Sequence, residues 1–129
     1  MEKQTISFDY LKKAVATLED VFAQPYTVYI RDATIQRFEY TYEIAWKLIQ
    51  RILEKQFDIV ASNLPRKQLF KEAAKYGLID DVEQWFAFRE ARNLTVHAYD
   101  ETNADIVYQE AKKFLIAAKQ LLKSCAQKT

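Results

Sequence analysis

Residues 29–56 read YIRDATIQRFEYTYEIAWKLIQRILEKQ, and their spacing decides the fold. Ile30, Thr34, Phe38, Tyr42, Ala45, Ile49 and Ile52 recur at intervals of three and four, and Ile35, Trp46 and Leu53 widen the same face. That period belongs to an amphipathic α-helix rather than to the alternation of a half-buried strand. At about 1.5 Å per residue the helix spans roughly 40 Å, enough to be the backbone of a bundle.

The flanking segments follow the same period. Phe8, Leu11, Val15, Leu18 and Phe22 predict a first helix from about Thr5 to Gln24, with Ser7 or Asp9 as its cap and Pro25 as its end. A third helix is expected from Asn63 or Pro65, with Leu69, Phe70 and Ala73 inward and Gly77 as a left-handed C-cap. Asp80 is the expected cap of a fourth helix that begins at Asp81 and carries Val82, Trp85, Phe86 and Phe88. A fifth is expected from Ala104 to Cys125, capped by Thr102 or Asn103. It turns Ile106, Val107, Phe114, Leu115, Ala118, Leu121 and Leu122 inward and Lys112, Lys113, Lys119 and Lys123 outward.

Composition agrees. The 129 residues include one glycine and two prolines, and half are hydrophobic. Sandwiches and barrels need many turns with positive φ; long helices need few. The reading is a single domain over residues 1–129, an all-α, antiparallel four-helix up-and-down bundle with an extra short helix. A lone cysteine, Cys125, cannot form an internal disulfide, and no Cys/His cluster has zinc spacing, so a reducing, cytoplasmic setting is expected, with no metal and no cofactor. MEKQTISFDY is too polar for a signal peptide, and no run is long and apolar enough to suggest a membrane partner. The net charge of +1 excludes a protein that coats nucleic acid by bulk charge and leaves only local contact.

The stretch that bears chemistry is RNLTVHAY, residues 92–99, which holds Arg92, the only histidine (His97) and Tyr99. An imidazole transfers protons near neutral pH, and a guanidinium stabilises a phosphate. Together they suit metal-free RNA cleavage. Composition alone would place an arginine there about one time in twenty, so the bare pair is weak evidence, and a lone histidine at a helix end is more often structural or on the surface. Positions 92 and 97 lie about 140° apart on a continuous helix. They converge only if the helix ends or distorts between them, or if a second chain completes the site. Thr95 and Val96 are β-branched and permit an ending. Trp46 and Trp85, on apolar faces, read as core or dimer interface. Glu39 and Glu43 share a helix face; they would pair with Lys47 or Arg51 on the surface, or one of them would orient Arg92 or His97.

RNLTVHAYDE (92–101) resembles the signature of the HEPN superfamily. The branch is the one known as nucleotidyltransferase substrate-binding proteins and as HepT-type toxins, whose motif Arg-x4-His-x-Tyr is matched by Arg92, His97 and Tyr99. IQRFEYTYEIAWK (35–47) resembles its second-helix pattern, with Phe38, Glu39, Tyr42, Glu43, Trp46 and Lys47 in register. LPRKQLFKEAAKYGLIDDVEQW (64–85) resembles its Pro-Arg helix, Gly-Leu-Ile turn and Trp-bearing helix. The resemblance implies a homodimer whose Arg/His motifs face a shared cleft. It also implies a metal-independent endoribonuclease with Arg92, His97 and Asn93 as catalytic residues, and a small nucleotidyltransferase encoded nearby that transfers AMP to Tyr99. Its alternative is a non-catalytic subunit that binds substrate or nucleotide for that enzyme. The chain has no Gly-Ser pair followed by paired acids, so nucleotidyl transfer would come from another polypeptide.

Overall fold

The structure is a computed structural model that describes residues 6–128. Five α-helices follow in order: α1 (Asp9–Phe22), α2 (Val28–Gln56), α3 (Arg66–Lys75), α4 (Val82–Leu94) and α5 (Glu101–Lys128), with a 3-10 turn, Thr95–His97, between the last two. Helices α1, α2, α4 and α5 build the antiparallel bundle and α3 is the short extra helix. Helix α2 packs on all four others, as its long apolar face requires.

Helix ends moved where local hydrogen bonding overrode pattern. Helix α1 begins at Asp9 with Phe8 at the cap position, while Ser7 Oγ accepts the Asp9 N–H at 3.2 Å; the expected start at Thr5 lies outside the described residues. Thr27, ahead of the expected start of α2 near Tyr29, caps that helix by accepting the Ile30 N–H at 3.0 Å. Asp81, not Asp80, caps α4 by accepting from Gln84 N at 3.2 Å. Helix α5 starts at Glu101, not Ala104, because Asp100 accepts the Asn103 N–H at 3.1 Å and takes the capping role expected of Thr102 or Asn103. A carboxylate is the stronger acceptor at the positive end of a helix. Ile106 is 47% exposed rather than inward, because it lies about 100° around α5 from the buried Val107.

The one glycine does what its position suggested. Gly77 has φ +78°; its N–H bonds the Ala74 carbonyl at 3.1 Å and the Leu78 N–H bonds that of Ala73 at 2.9 Å, closing α3 with paired C-terminal bonds. Leu78 and Ala73 are both fully buried at this turn.

The core centres on Phe114 of α5. Its ring stands edge-on to Phe38 (centroids 5.3 Å apart) and Tyr42 (6.2 Å) of α2, and to Trp85 (5.7 Å) and Phe88 (5.1 Å) of α4. Trp85 is buried, as one of the two readings of that residue required. No helix among the described residues is long and apolar enough to cross a membrane. Replacement Phe114→Ala removes four ring contacts at once and is expected to cost about 3–5 kcal/mol. Urea unfolding followed by circular dichroism measures it.

Candidate active site

The local sequence ends helix α4 between the two residues of interest. Thr95 is the cause. Its N–H bonds the Arg92 carbonyl in 3-10 fashion, and its hydroxyl donates to the same carbonyl at 2.8 Å. That carbonyl is thereby satisfied without continuing the α-helix. The chain then tightens: Ala98 N–H bonds Thr95 O and Asp100 N–H bonds His97 O, each at 3.2 Å. The geometric objection to an Arg92–His97 pair on one regular helix no longer applies.

Arg92 is held from three sides. Its Nε donates to Glu43 Oε1 at 3.1 Å, its Nη1 donates to Thr95 Oγ1 at 3.3 Å, and its Nη2 lies 3.6 Å from Glu39 Oε1. Glu43 is in turn fixed by Trp46, whose indole Nε1 donates to Oε2 at 2.9 Å. The guanidinium of Arg66 lies 3.2 Å above the Trp46 ring, a cation–π contact that presses the indole into place. Of the two readings of Glu39 and Glu43, pairing with Lys47 or Arg51 is not found among the described residues; both acids turn to Arg92. Trp46 is half-buried and serves as the orienting group for Glu43, a role that spacing alone did not reveal.

Burial has a cost beside this cluster. The Tyr42 hydroxyl and Arg66 Nη1 are buried without a hydrogen-bond partner among the described residues. Burial pushes the Tyr42 phenol up to about 12, against the pull of Arg66, Arg89 and Arg92. Burial likewise lowers Arg66 from its ordinary value.

His97 and Tyr99 are exposed in the following turn. His97 Nδ1 lies 3.4 Å from the Tyr99 hydroxyl, with the two rings edge-on. Tyr99 is 84% exposed, at the rim of an open cleft of about 330 Å³ that Ile35, Gln36 and Glu39 also line. Within one chain no hydrogen bond links Arg92 to His97 among the described residues. Asn93 is exposed and makes no side-chain hydrogen bond with a described residue. The structure thus joins Arg92 with Glu43, Glu39 and Thr95, and His97 with Tyr99, as two neighbouring groups on one helix-to-turn junction.

The turn is fastened to the bundle by contacts distant in sequence. Asn103 Nδ2 donates to the His97 carbonyl at 3.2 Å. Arg31, only 5% exposed on α2, reaches Glu101 at 2.5 Å and Asp105 at 3.7 Å at the start of α5. Arg31 and Glu101 are 70 residues apart, so no local signal marks the pair. Among the described residues no group of His, Cys, Asp or Glu could hold a metal ion.

The family model for nucleotidyltransferase substrate binding protein-like chains matches residues 6–127. The chain belongs to that family. It is 38% identical over 98 residues to the Haemophilus influenzae protein named probable ribonuclease HepT; the match takes in 73% of this chain and 66%, just under two thirds, of that relative's length. Two solved structures share the fold. One, from Haemophilus influenzae, is described as a substrate binding domain of a nucleotidyltransferase. It superposes with a TM-score of 0.82 at 31% identity, over 94% of this chain and all of its own. The other, from Thermus thermophilus, gives 0.81 at 30% identity, over 89% of this chain and 98% of its own. The family match spans nearly all the described residues, so the helix order and the motif-bearing turn belong to one family scaffold.

Two outcomes follow from the site's bonding. The Arg92 Nε–H is expected to be protected from solvent exchange by Glu43; in 15N side-chain spectra the signal disappears in Glu43→Gln and persists in Glu39→Gln, whose contact is longer. Arg31 holds the Glu101 carboxyl below the ordinary value of 4.5 by a charged hydrogen bond. A lowered carboxylate stabilises the fold above the unfolded pKa and loses that contribution as pH falls through the folded one. Wild type should therefore outlast Glu101→Gln in urea at neutral pH, with the gap closing below about pH 4.5.

Proposed function

We propose that the chain is a metal-independent endoribonuclease, working with a separate small nucleotidyltransferase that silences it by transferring AMP to Tyr99. The observation that carries this reading is the junction itself: a guanidinium held at a fixed angle by Glu43 and Thr95, one turn before an exposed imidazole beside an exposed phenol. The likeness to a relative named as a ribonuclease supports it.

The reaction is an internal transesterification. The 2′-hydroxyl oxygen attacks phosphorus, a 2′,3′-cyclic phosphate forms, and the bond to the 5′-oxygen breaks. His97 is assigned the proton transfer, and Arg92 the charge that builds on the phosphate oxygens. Asn93, exposed on the last turn of α4, is assigned a supporting hydrogen bond to the substrate. Glu43 acts through Arg92 and is a positioning residue; Glu39 is the weaker, more displaceable partner of the same guanidinium. One imidazole cannot accept the 2′-proton and donate to the 5′-oxygen in a single step. A homodimer supplies two copies of His97 to one cleft, one for each role.

Tyr99 suits the off-switch because the modifying enzyme must reach its hydroxyl. The phenolic oxygen attacks the α-phosphorus of ATP in the partner's active site, and pyrophosphate leaves. The added phosphate sits beside His97, where it blocks a substrate phosphate by volume and by like charge.

Purified protein is expected to cleave single-stranded RNA in EDTA. His97→Ala and Arg92→Ala should each lose roughly 10²–10⁴ of the rate, and Arg92→Lys should recover little, because a point charge cannot copy the guanidinium's fork. Co-expression with the neighbouring nucleotidyltransferase should add AMP to Tyr99, read by mass spectrometry, and abolish cleavage. No cleavage by unmodified wild type overturns the ribonuclease reading and leaves the nucleotide-presenting subunit as the function.

A further inference from the structure

Arg92 captures both Glu39 and Glu43, the acids one and two turns before Lys47 on α2. Lys47 and Arg51 are exposed and make no ion pair with any described residue, although they sit one and two turns beyond Glu43 on the same helix. Positions four apart rise about 6 Å and drift by only about 40°, so Glu43, Lys47 and Arg51 form one slowly turning row. That row leads away from Arg92 toward the C-terminal end of α2.

The row borders a groove. Between α1 and α2 lies an open cavity of about 260 Å³ whose walls include Tyr10 and Leu11 of α1 and Ile44, Lys47, Leu48 and Arg51 of α2. Leu11 and Leu48 are buried and form an apolar floor, while Tyr10 is 76% exposed and holds its ring at the edge. An aromatic face, an apolar floor and two cations one turn apart, neither ion-paired with a described residue, make a combined base and phosphate site. Stacking binds any nucleobase, and the cations track the backbone.

We propose that this groove is a second binding site for single-stranded RNA, continuous with the Arg92 centre along α2. Tyr10 stacks a base, and Lys47 and Arg51 hold the phosphates that flank it. The proposal rests on the ribonuclease reading and adds to it a direction: the strand leaves the cleavage site along α2 rather than over the acidic turn of Asp100, Glu101 and Asp105. It also explains how a chain of net charge +1 binds a polyanion, since the charge is local.

The test is fluorescence anisotropy with labelled single-stranded RNA oligonucleotides of increasing length, on full-length His97→Ala protein so that nothing is cleaved. Each phosphate contact on a single strand contributes about 0.7 to the slope of log affinity against log salt. Adding Lys47→Gln and Arg51→Gln should lower that slope by about 1.4 and weaken binding of longer strands while sparing the shortest that binds. Adding Tyr10→Ala should weaken longer strands roughly tenfold with the slope unchanged. All three side chains are exposed, so folding is expected to survive, and circular dichroism checks it.

Unchanged affinity and slope in these variants, with Arg92→Ala still weakening binding, overturns the groove and leaves the ribonuclease reading standing. No binding by the parent protein, joined with no cleavage by wild type, overturns both. Normal RNA binding with lost capture of the nucleotidyltransferase assigns the groove to the protein partner and overturns the proposal.

Discussion

The ring of Phe114 is the constraint on which the rest of the molecule depends. It touches both α2 and α4 through aromatic edges, meeting Tyr42 on one and Phe88 on the other. Glu43 is the next residue after Tyr42, and Arg92 lies one turn beyond Phe88. Fixing those two rings against a common neighbour fixes the register between α2 and α4, and with it the 3.1 Å contact from Arg92 to Glu43. Core packing is stiff, because a close-packed interior resists shifts of even a methylene. The polar cluster therefore inherits its geometry from the apolar one beneath it.

A second constraint works at the end of α4. Thr95 satisfies the Arg92 carbonyl by backbone and hydroxyl together, and its own oxygen receives Arg92 Nη1. One residue thus stops the helix and steadies the arginine. The turn that follows would otherwise be loose. Asp100 at the start of α5, Asn103 on the His97 carbonyl and Arg31 on Glu101 tie it to two helices. His97 and Tyr99 consequently project from an anchored turn, which is what a proton-transfer group needs in order to meet a substrate repeatedly in the same place.

The distribution of charge is as informative as its sum. Arg92 collects two carboxylates and Arg31 collects three, so the acids of this region are largely committed to neighbouring arginines. Lys47 and Arg51, on the outer row of α2, make no ion pair with a described residue. A near-neutral chain with separated surplus charges presents different faces to different partners, and low-dielectric walls sharpen the contrast.

Much of this was legible in one dimension. The three-and-four spacing of residues 29–56, the scarcity of glycine and proline and the single Gly77 determined the helices, their order and the all-α class, because a helix's period and its stop signals are properties of neighbouring residues. The incompatibility of Arg92 and His97 with one regular helix was legible for the same reason, as was the motif that leads to the family. Caps were placed less well: Thr27, Asp81 and Asp100 won their positions through hydrogen bonds that several adjacent polar residues could equally have made. Only the tertiary structure decided where Glu39 and Glu43 point, that Trp46 steadies Glu43, that Arg31 reaches across 70 residues to Glu101, and that Lys47 and Arg51 have no carboxylate partner among the described residues. The decisive contacts join different helices. Their partners are chosen by the register that the buried rings impose, and that register appears only when the chain has folded.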